Sequence, residues 1–531
     1  MHRRLGRALA VLLLVCASAC SASPRSGGAH VLRIADTSDP NSLNPLLAHD
    51  QDTIGWDLLF AQTLVGLDSG NRLVPILIAR VPTRANGDIS RDGRSITYRL
   101  RDGVRFADGT VLTAADVAFT YRAILDPRNN VLSQDAYRRI ESLATPNART
   151  VVVHLRAPWN AATSVLFAHA DFAFGILPSH AFSSTDVVHA QWGNLPFGTG
   201  PFHVVEWRRG DRVVFEPNPY FVPKPKLARI ELKMIPSSDT AFMALQTHEV
   251  EVAVLTPDEM TRAISHSDLH IMKTPENATV WLSMQTASPP ASDVAIRHGI
   301  ADALDVDAMR KAYSDAYQVA GSFLPPVFSA WHDPTLRARP RNLALAASEF
   351  EAAGWHEQNG QRTKNGNRLE AVLVIFAGRA VDLRIATLVQ QQLAQAGVAV
   401  AVKAFPTSVF NALDGPIRNG RFTLALDGWL GGADPEQSIV FTCSQVGVNG
   451  NNISRFCNAP FDALFRDQST TSLESRRRDD ITSIQRYVYD RLPVLPLYYE
   501  TYLEAASTRV HGMRRNMLRY PVNPETWDVS P

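Results

Sequence analysis

Cysteine is scarce in this 531-residue chain, which has only four, and its fifteen histidines are scattered without metal-ligand spacing. Excess charge of one sign is also missing, because 53 lysines and arginines nearly balance 52 aspartates and glutamates. A protein that binds nucleic acid through the phosphate backbone needs a basic surface. The sequence therefore predicts no metal site, no cofactor and no nucleic-acid partner.

Catalytic motifs are missing as well. The chain contains no HExxH, GxSxG, GxxxxGK[ST], GxGxxG or CxxC motif, the patterns typical of several hydrolases, nucleotide-binding enzymes and thiol oxidoreductases. Carboxylates are abundant, but spacing alone does not place any two of them in one site. We therefore predict no catalytic residue and no enzymatic activity.

A long hydrophobic run is the third absence, since the apolar stretch at 8–15 is too short for a bilayer, which needs about 20 residues. It follows three arginines and precedes small residues at 17–19, a pattern typical of an export signal over 1–19. Cys20 comes next, so the segment resembles a bacterial lipoprotein signal. The resemblance implies a lipidated Cys20, a tether over 20–30 and an extracytoplasmic protein anchored to the cell membrane. Ordinary secretion is the alternative.

Two cysteines, Cys443 and Cys457, lie outside this segment. In an oxidising compartment an isolated pair this close in sequence favours a disulfide over a metal site. Two buried free thiols are the alternative.

Strand-like and helix-like segments alternate along the rest of the chain, which is typical of α/β architecture. Residues 96–109 predict a hairpin with two Asp-Gly turns. The next segment, 113–127, predicts an amphipathic helix with Thr113 as N-cap and Asp116 three residues later. Further predicted helices cover 239–250, 293–313, 343–355 and 383–398, and a strand follows the last of them.

Seven stretches of the chain, taken in their order along the sequence, carry a family resemblance. They are PNSLNPLLAHD (40–50), LVGLDSGNRLVPILIAR (64–80), ITYRLRDGVRFADGTVLTAADVAFTYRAILDP (96–127), GTGPFHVVEWRRGDRVVFEPNPYF (198–221), AIRHGIADALDVDAM (295–309), AGW (353–355) and RLPVLPLYYE (491–500). In this order they resemble the extracytoplasmic solute-binding proteins of ABC importers, in the large peptide, dipeptide and nickel class. Two positions depart from that pattern: the sequence HEVE at 248–251 replaces Gly-Glu-hydrophobic-Asp, and Phe221 replaces a tryptophan.

The resemblance implies a two-lobed α/β periplasmic-binding-protein fold, type II and of the large class, with an extra subdomain in the first lobe. Strand-like residues at 277–286 and 495–503 are the expected crossings between the lobes. The expected divisions are 31–275 for lobe I, about 46–195 for its inserted subdomain, 276–494 for lobe II and 495–531 for the return to lobe I.

The same resemblance implies a monomeric receptor that binds a peptide or peptide-like small solute and delivers it to an ABC permease energised by an ATPase. Oligopeptides are the leading ligand class, and opines, sugars or a nickel chelate are the alternatives. Rival functions are an extracytoplasmic hydrolase and a non-transport sensor or chaperone-like lipoprotein on the same scaffold.

The stretch DGWLGGADPEQ at 427–437 carries the candidate ligand site. In peptide-binding members, the ligand backbone pairs near a Gly-Trp dipeptide, and an acid three residues after the tryptophan binds the α-amino group. Gly428 and Trp429 match the dipeptide, but Gly432 occupies the acid position. Asp434 is either a shifted acid or a turn residue. The other expected ligand-contacting residues are Asp427, Leu430, Tyr499 and Glu500, the last either an amine partner or a solvent-facing strand residue.

Overall fold

A computed structural model describes residues 30–530 apart from 49, 132–133, 170–172, 315 and 411. The predicted export signal and the lipidation site Cys20 lie outside the described residues. Within the described residues, no helix combines the length and the apolar character that crossing a bilayer requires.

The strands are numbered in chain order. The first ten are β1 Val31–Asp36, β2 Val65–Leu67, β3 Leu73–Pro75, β4 Ser95–Arg99, β5 Ile140–Asn147, β6 Thr150–Leu155, β7 Phe202–Arg208, β8 Arg212–Pro217, β9 Arg229–Met234 and β10 Val252–Val254. The others are β11 Leu269–Met284, β12 Gln318–Val319, β13 His356–Gln358, β14 Gln361–Lys364, β15 Asn367–Arg368, β16 Glu370–Phe376, β17 Ala399–Phe405, β18 Leu424–Leu430, β19 Val494–Ser507, β20 Val510–His511 and β21 Asp528–Val529.

The α-helices are numbered in the same way. They are α1 Gln51–Asp57, α2 Ala114–Leu125, α3 Asp135–Arg138, α4 Ala162–Val165, α5 Ser238–Gln246, α6 Pro257–Ala263, α7 Val294–Ala303, α8 Val306–Tyr313, α9 Leu343–Ala352, α10 Ala380–Gln395, α11 Thr407–Phe410, α12 Ser438–Phe441, α13 Ala459–Thr470 and α14 Glu474–Arg491.

One mixed sheet of eleven strands runs through the protein in the order β17-β16-β18-β11-β19-β10-β1-β9-β8-β7, with β12 added to β19. The two longest strands, β11 and β19, pair antiparallel from Leu269 opposite Ser507 to Ser283 opposite Val494. At one end of this pair β19 also pairs with β10, and at the other end β11 pairs with β18. These two strands therefore connect the two halves of the sheet.

Each half of the sheet has its own hydrophobic core. In the half that begins with β1, Ile34 and Phe215 belong to one large buried cluster. In the half that contains β18, Leu282, Leu426 and Phe350 belong to a second. Helices cover the faces of both halves, as expected for a mixed sheet whose strands alternate with helices along the chain.

A third apolar cluster lies where the two halves meet. It includes Ile54 from the first half and Trp281 and Phe441 from the second. A backbone hydrogen bond from Asn160 N–H to the carbonyl oxygen of Ser469, at 2.8 Å, also joins the two halves. The halves are thus in direct contact beyond the strands that connect them.

The segment predicted as a hairpin pairs differently. Strand β4 pairs with the distant β6, so the expected pairing of β4 with the residues just after Gly103 is wrong. The physical reason is burial, because Ile96 and Tyr98 of β4 are buried in the core where β4 joins β6, the central strand between β4 and β5. The second Asp-Gly turn does form: Phe106 N–H donates to the carbonyl of Thr110 at 2.9 Å.

The helix predictions have mixed outcomes. Helix α2 is confirmed, and Thr113 N–H donates to the Asp116 carboxylate at 2.8 Å in the predicted capping box. The single helix predicted over 293–313 is wrong, because Asp305 caps the start of α8 by accepting from Ala308 N–H at 2.9 Å. Helices α5, α9 and α10 confirm the other three predictions.

The predicted disulfide is present. Cys443 and Cys457 are bonded, with their Cα atoms 4.6 Å apart and a sequence separation of 14. The bond closes the loop between α12 and α13, shortly after β18.

Replacing both Cys443 and Cys457 by serine should lower the free energy of unfolding by about 3 kcal/mol, because the unfolded chain regains the entropy of a loop of this length. Urea unfolding of the full chain measures the change. The matched control is Ser444→Ala, an exposed neighbour whose replacement should change stability by less than about 0.5 kcal/mol. Equal midpoints for the double variant and a parent shown by thiol titration to be oxidised would contradict the expectation.

Candidate functional site

Strand β18 brings the predicted site to the junction of the two halves. Side chains alternate between the faces of a strand. Leu424 and Leu426 belong to the second core, so Asp427 and Trp429 point to the opposite face. Leu430 lies on the face of the two buried leucines and lines neither of the cavities described below.

Gly428 has a local packing reason to be glycine. It lies opposite Val280 of β11, and a Cβ atom placed on it would be 2.7 Å from the carbonyl oxygen of Thr279. Only a residue without a side chain allows this approach of the two backbones. The glycine next to Trp429 is therefore required by the pairing of β18 with β11.

Trp429 borders two cavities. The first, here called the strand pocket, lies within the second half and has a volume of about 140 Å³; its polar walls include Asp427, Ser283 and Arg418. The second, here called the junction cavity, has a volume of about 200 Å³ and lies between the halves. The first half contributes Arg139 and Trp159 to its lining, and the second half contributes Trp429, Asp434 and Glu436.

One edge of β18 is open. Strand β11 pairs with β18 along its whole length, but β16 pairs only with Leu424 and Ala425. Beyond Ala425, no strand in the described part of the chain pairs with the side of β18 that faces away from β11. An open edge presents backbone N–H and C=O groups that an extended chain can pair with.

Asp434 is buried and already paired. Arg477 Nη2 donates to Asp434 Oδ1, and the backbone N–H of Glu436 donates to the same oxygen at 3.0 Å. Arg477 is held in turn by Gln468, whose Oε1 accepts from Nε at 3.1 Å. The charge of Asp434 is therefore balanced within the protein, in a turn-forming arrangement.

Glu436 is an acid in the junction cavity without a salt-bridge partner among the described residues. Its Oε1 accepts from Ser438 N–H at 3.0 Å. Burial is the largest influence on Glu436 and raises its pKa; the bond from Ser438 and the positive charge of Arg139 lower it, while Asp434 raises it.

Arg139 faces Glu436 from the first half. Its guanidinium carbon lies 4.6 Å from the centre of the Trp159 ring, a cation–π contact. The side chain is exposed and forms no salt bridge with any residue in the described ranges. Among the charged residues of the junction cavity, Arg139 from the first half and Glu436 from the second have no salt bridge within the described residues, whereas Asp434 and Asp135 do.

Asp427 provides the acid of the strand pocket. Its Oδ1 accepts from the hydroxyl of Ser283 at 2.9 Å. Burial raises the pKa of Asp427 to about 7, against the lowering effect of hydrogen bonding by Ser283 and Trp281. Asp427 and Trp429 are the two predicted side chains that share this face of β18.

Tyr499 and Glu500 line neither cavity. The Tyr499 hydroxyl accepts from the backbone N–H of Ser322 at 3.1 Å, and burial raises its pKa to about 12. The Glu500 carboxylate lies 4.0 Å from a guanidinium nitrogen of Arg379. Tyr499 and Trp429 nevertheless share one row of the sheet, because both lie opposite Thr279, on the two sides of β11.

Arg139, Trp159 and Glu436 were not predicted from the sequence. Glu436 stands inside the quoted stretch 427–437 but has no distinguishing signal there. Arg139 and Trp159 come from the distant first half and carry no motif, so only the tertiary structure associates them with β18.

A group with metal-ligand chemistry lies elsewhere, on α7 and α9. Potential ligand atoms of His298, Asp302 and Glu349 all lie within 4.8 Å of one another. Arg339 lies 3.6 Å from the Asp302 carboxylate, and the carbonyl of Asp490 lies 2.9 Å from His298 Nε2. Since two of the three already have partners within the protein, we assign no ion to this group.

The chain is similar to known proteins over most of its length. The family model described as bacterial extracellular solute-binding proteins, family 5, middle, matches residues 72–450. Protein XP55 of Streptomyces lividans is 28% identical over 465 residues, covering 86% of this chain and 82% of that protein. The oligopeptide-binding protein AppA of Bacillus subtilis is 24% identical over 539 aligned positions, covering 98% of this chain and 96% of that protein.

Solved structures share the fold. The structure of Bacillus subtilis AppA in complex with a nonapeptide has a TM-score of 0.76 at 22% identity, covering 94% of this chain and 99% of that chain. NikZ from Campylobacter jejuni in complex with Ni(L-His) has a TM-score of 0.79 at 22% identity, covering 94% and 100%. The two halves of the sheet are accordingly the two lobes of a periplasmic-binding-protein fold. The chain belongs to the bacterial extracellular solute-binding proteins of family 5.

Proposed function

We propose that this protein is the extracytoplasmic receptor of an ABC importer and that it binds a peptide or peptide-like solute between its lobes. The observation that carries the proposal is the open edge of β18 at Gly428 and Trp429, next to a cavity walled by both lobes. An extended peptide can pair with such an edge as an added strand. The hydrogen bonds then come from the peptide backbone, so peptides with different side chains can bind.

The charges in the junction cavity favour a zwitterionic ligand. Glu436 is positioned to accept the α-amino group of a peptide, and Arg139 is positioned on the opposite wall for its carboxylate. Asp434 is excluded from the amine-binding role in this proposal because Arg477 already neutralises it. Trp429 and Trp159 provide apolar walls between the two charges.

The proposal also covers the lobe boundaries, lobe closure, membrane anchoring and delivery of the ligand. Lobe I comprises 31–275 with the subdomain at about 46–195, lobe II comprises 276–494, and 495–531 return to lobe I. Ligand binding closes the lobes about β11 and β19. The receptor acts as a monomer, is anchored through a lipid on Cys20, and delivers its ligand to a permease and its ATPase.

Replacing Trp429 by alanine should weaken peptide binding about tenfold or more, because it removes the wall shared by both cavities. The measurement starts with solute released from the purified full chain by denaturation and identified by mass spectrometry. Titration calorimetry with that solute and with tri- to pentapeptides then gives affinities.

Trp207→Ala, on the distant strand β7, is the matched control and should bind as the parent does. Chemical conversion of the solute by the purified chain, or failure of every peptide in the panel to bind, would overturn the proposed function.

N-terminal acetylation of a bound peptide should weaken its binding to the parent chain about tenfold, because the ammonium that Glu436 accepts is lost. The same acetylation should barely change binding to Glu436→Gln, which lacks the carboxylate. Calorimetry on the four combinations of peptide and protein measures the coupling. If acetylation costs the same affinity in both proteins, Glu436 is not the amine partner.

Asp434→Asn should lower the free energy of unfolding by about 3 kcal/mol, since it leaves Arg477 buried without its counter-charge. Urea unfolding measures this change, and calorimetry should show that the penalty for N-terminal acetylation persists. Glu436→Gln is the paired comparison, with near-parent stability and lost amine recognition. A stable Asp434→Asn variant that no longer distinguishes acetylated from free peptides would instead assign the amine to Asp434.

A further inference from the structure

The strand pocket has a polar floor that the binding of peptide termini does not use. Asp427 of β18 and Trp281 of β11 are directly opposite each other in the antiparallel pair, so their side chains lie on the same face of the sheet. Both line the pocket, and Ser283 lies beside them. The pocket floor therefore consists of neighbouring polar groups from two strands.

This floor presents an acceptor beside a donor. The Ser283 hydroxyl donates to Asp427 Oδ1, and Oδ2 accepts no hydrogen bond of normal geometry from the described residues. Trp281 is 4% exposed, and its indole Nε1–H lies close enough to Asp427 to lower the pKa of that acid but makes no hydrogen bond of normal geometry with any described atom. A buried donor of this kind costs free energy until an acceptor reaches it.

Apolar side chains form part of the walls above the floor, beside the polar Asn451 and Ser454. Phe410, Ile417, Val440 and Phe441 line the pocket, and Trp429 lines both this pocket and the junction cavity. A side chain that enters past Trp429 therefore needs an apolar stem before it reaches the polar floor.

The pocket also contains a cation, Arg418. Its Nη1 donates to the carbonyl oxygen of Gly450 and lies 3.3 Å from Asn451 Oδ1. No salt bridge between Arg418 and Asp427 occurs within the described chain. The negative charge of Asp427 and the positive charge of Arg418 offset each other within the pocket. The pocket therefore favours a neutral polar group over a positively charged one.

We propose that the strand pocket is a specificity subsite for a ligand side chain that ends in a primary carboxamide, as in glutamine. The carboxamide oxygen accepts from Trp281 Nε1–H, and its NH₂ group donates to the Asp427 carboxylate. A carboxamide carries acceptor and donor side by side, which matches the arrangement of Trp281 and Asp427 on paired strands. The inference rests on the proposed function, because it assumes a peptide-like ligand bound along β18.

Matched tripeptides test this subsite. Glutamine is placed at each position of Ala-Ala-Ala in turn, and each peptide is compared with its methionine and lysine counterparts, which have stems of similar length. At one position, the glutamine peptide should bind the parent chain about tenfold more tightly than either counterpart, as measured by calorimetry. Binding at the other two positions should show no such preference.

Two variants test which side chains of the strand pocket cause the preference for glutamine. Asp427→Leu should remove it and favour methionine, whereas Trp281→Phe should reduce it by removing the indole N–H while keeping an aromatic ring. Ser444→Ala, outside both cavities, should retain the parent preference, and thermal unfolding verifies that the variants are folded.

The results of these binding measurements distinguish failure of the proposed subsite from failure of the proposed receptor function. Equal binding of glutamine, methionine and lysine peptides at all three positions of the parent chain overturns the subsite and leaves the receptor function standing. A glutamine preference that survives in Asp427→Leu also overturns it. Failure of every peptide to bind overturns the receptor function, and the subsite with it.

Discussion

The antiparallel pairing of β11 with β19 is the constraint on which the other features depend. These strands belong to both lobes, so the two hydrophobic cores are built on one hydrogen-bonded sheet. Their register shifts between Pro275 and Thr279, near the middle of the pair. Strand β18 reaches the junction only because β11 extends far enough to pair with all of it. Both cavities, and the open edge between them, follow from that extension.

Burial and pairing divide the acids near β18 into different roles. Asp434 is tolerated inside the protein because Arg477 neutralises it, and an unpaired charge at that depth would be strongly unfavourable. Glu436 and Asp427 lack such a partner among the described residues and lie on cavity walls instead. Their desolvation raises the pKa of each, a cost that a hydrogen-bond donor on a ligand offsets. The acids available to a ligand are thus those that the fold leaves without an internal cation.

Prediction from the sequence succeeded where the physical cause is local. The capping box at Thr113 and Asp116 depends on residues within one helical turn, and the disulfide joins cysteines close in sequence. Prediction failed where a distant partner decides the outcome. Strand β4 pairs with the distant β6 rather than with the residues just after it, because burial in a shared core stabilises the chain more than a short hairpin would.

The ordered motifs and the alternation of strands and helices were enough to predict the family and the two-lobed fold, and the stretch around Gly428 and Trp429 stays a predicted ligand site. They were insufficient to identify which acid is free, because that depends on which cation lies within a few ångströms. Arg477 reaches Asp434 from α14, and Arg139 approaches Glu436 from the other lobe. Hydrogen bonds and ion pairs act over short distances in space, whatever the separation along the chain. The sequence by itself therefore determined the family and the two-lobed fold, whereas the tertiary structure decided which charges the protein neutralises internally and which it leaves facing the cavities.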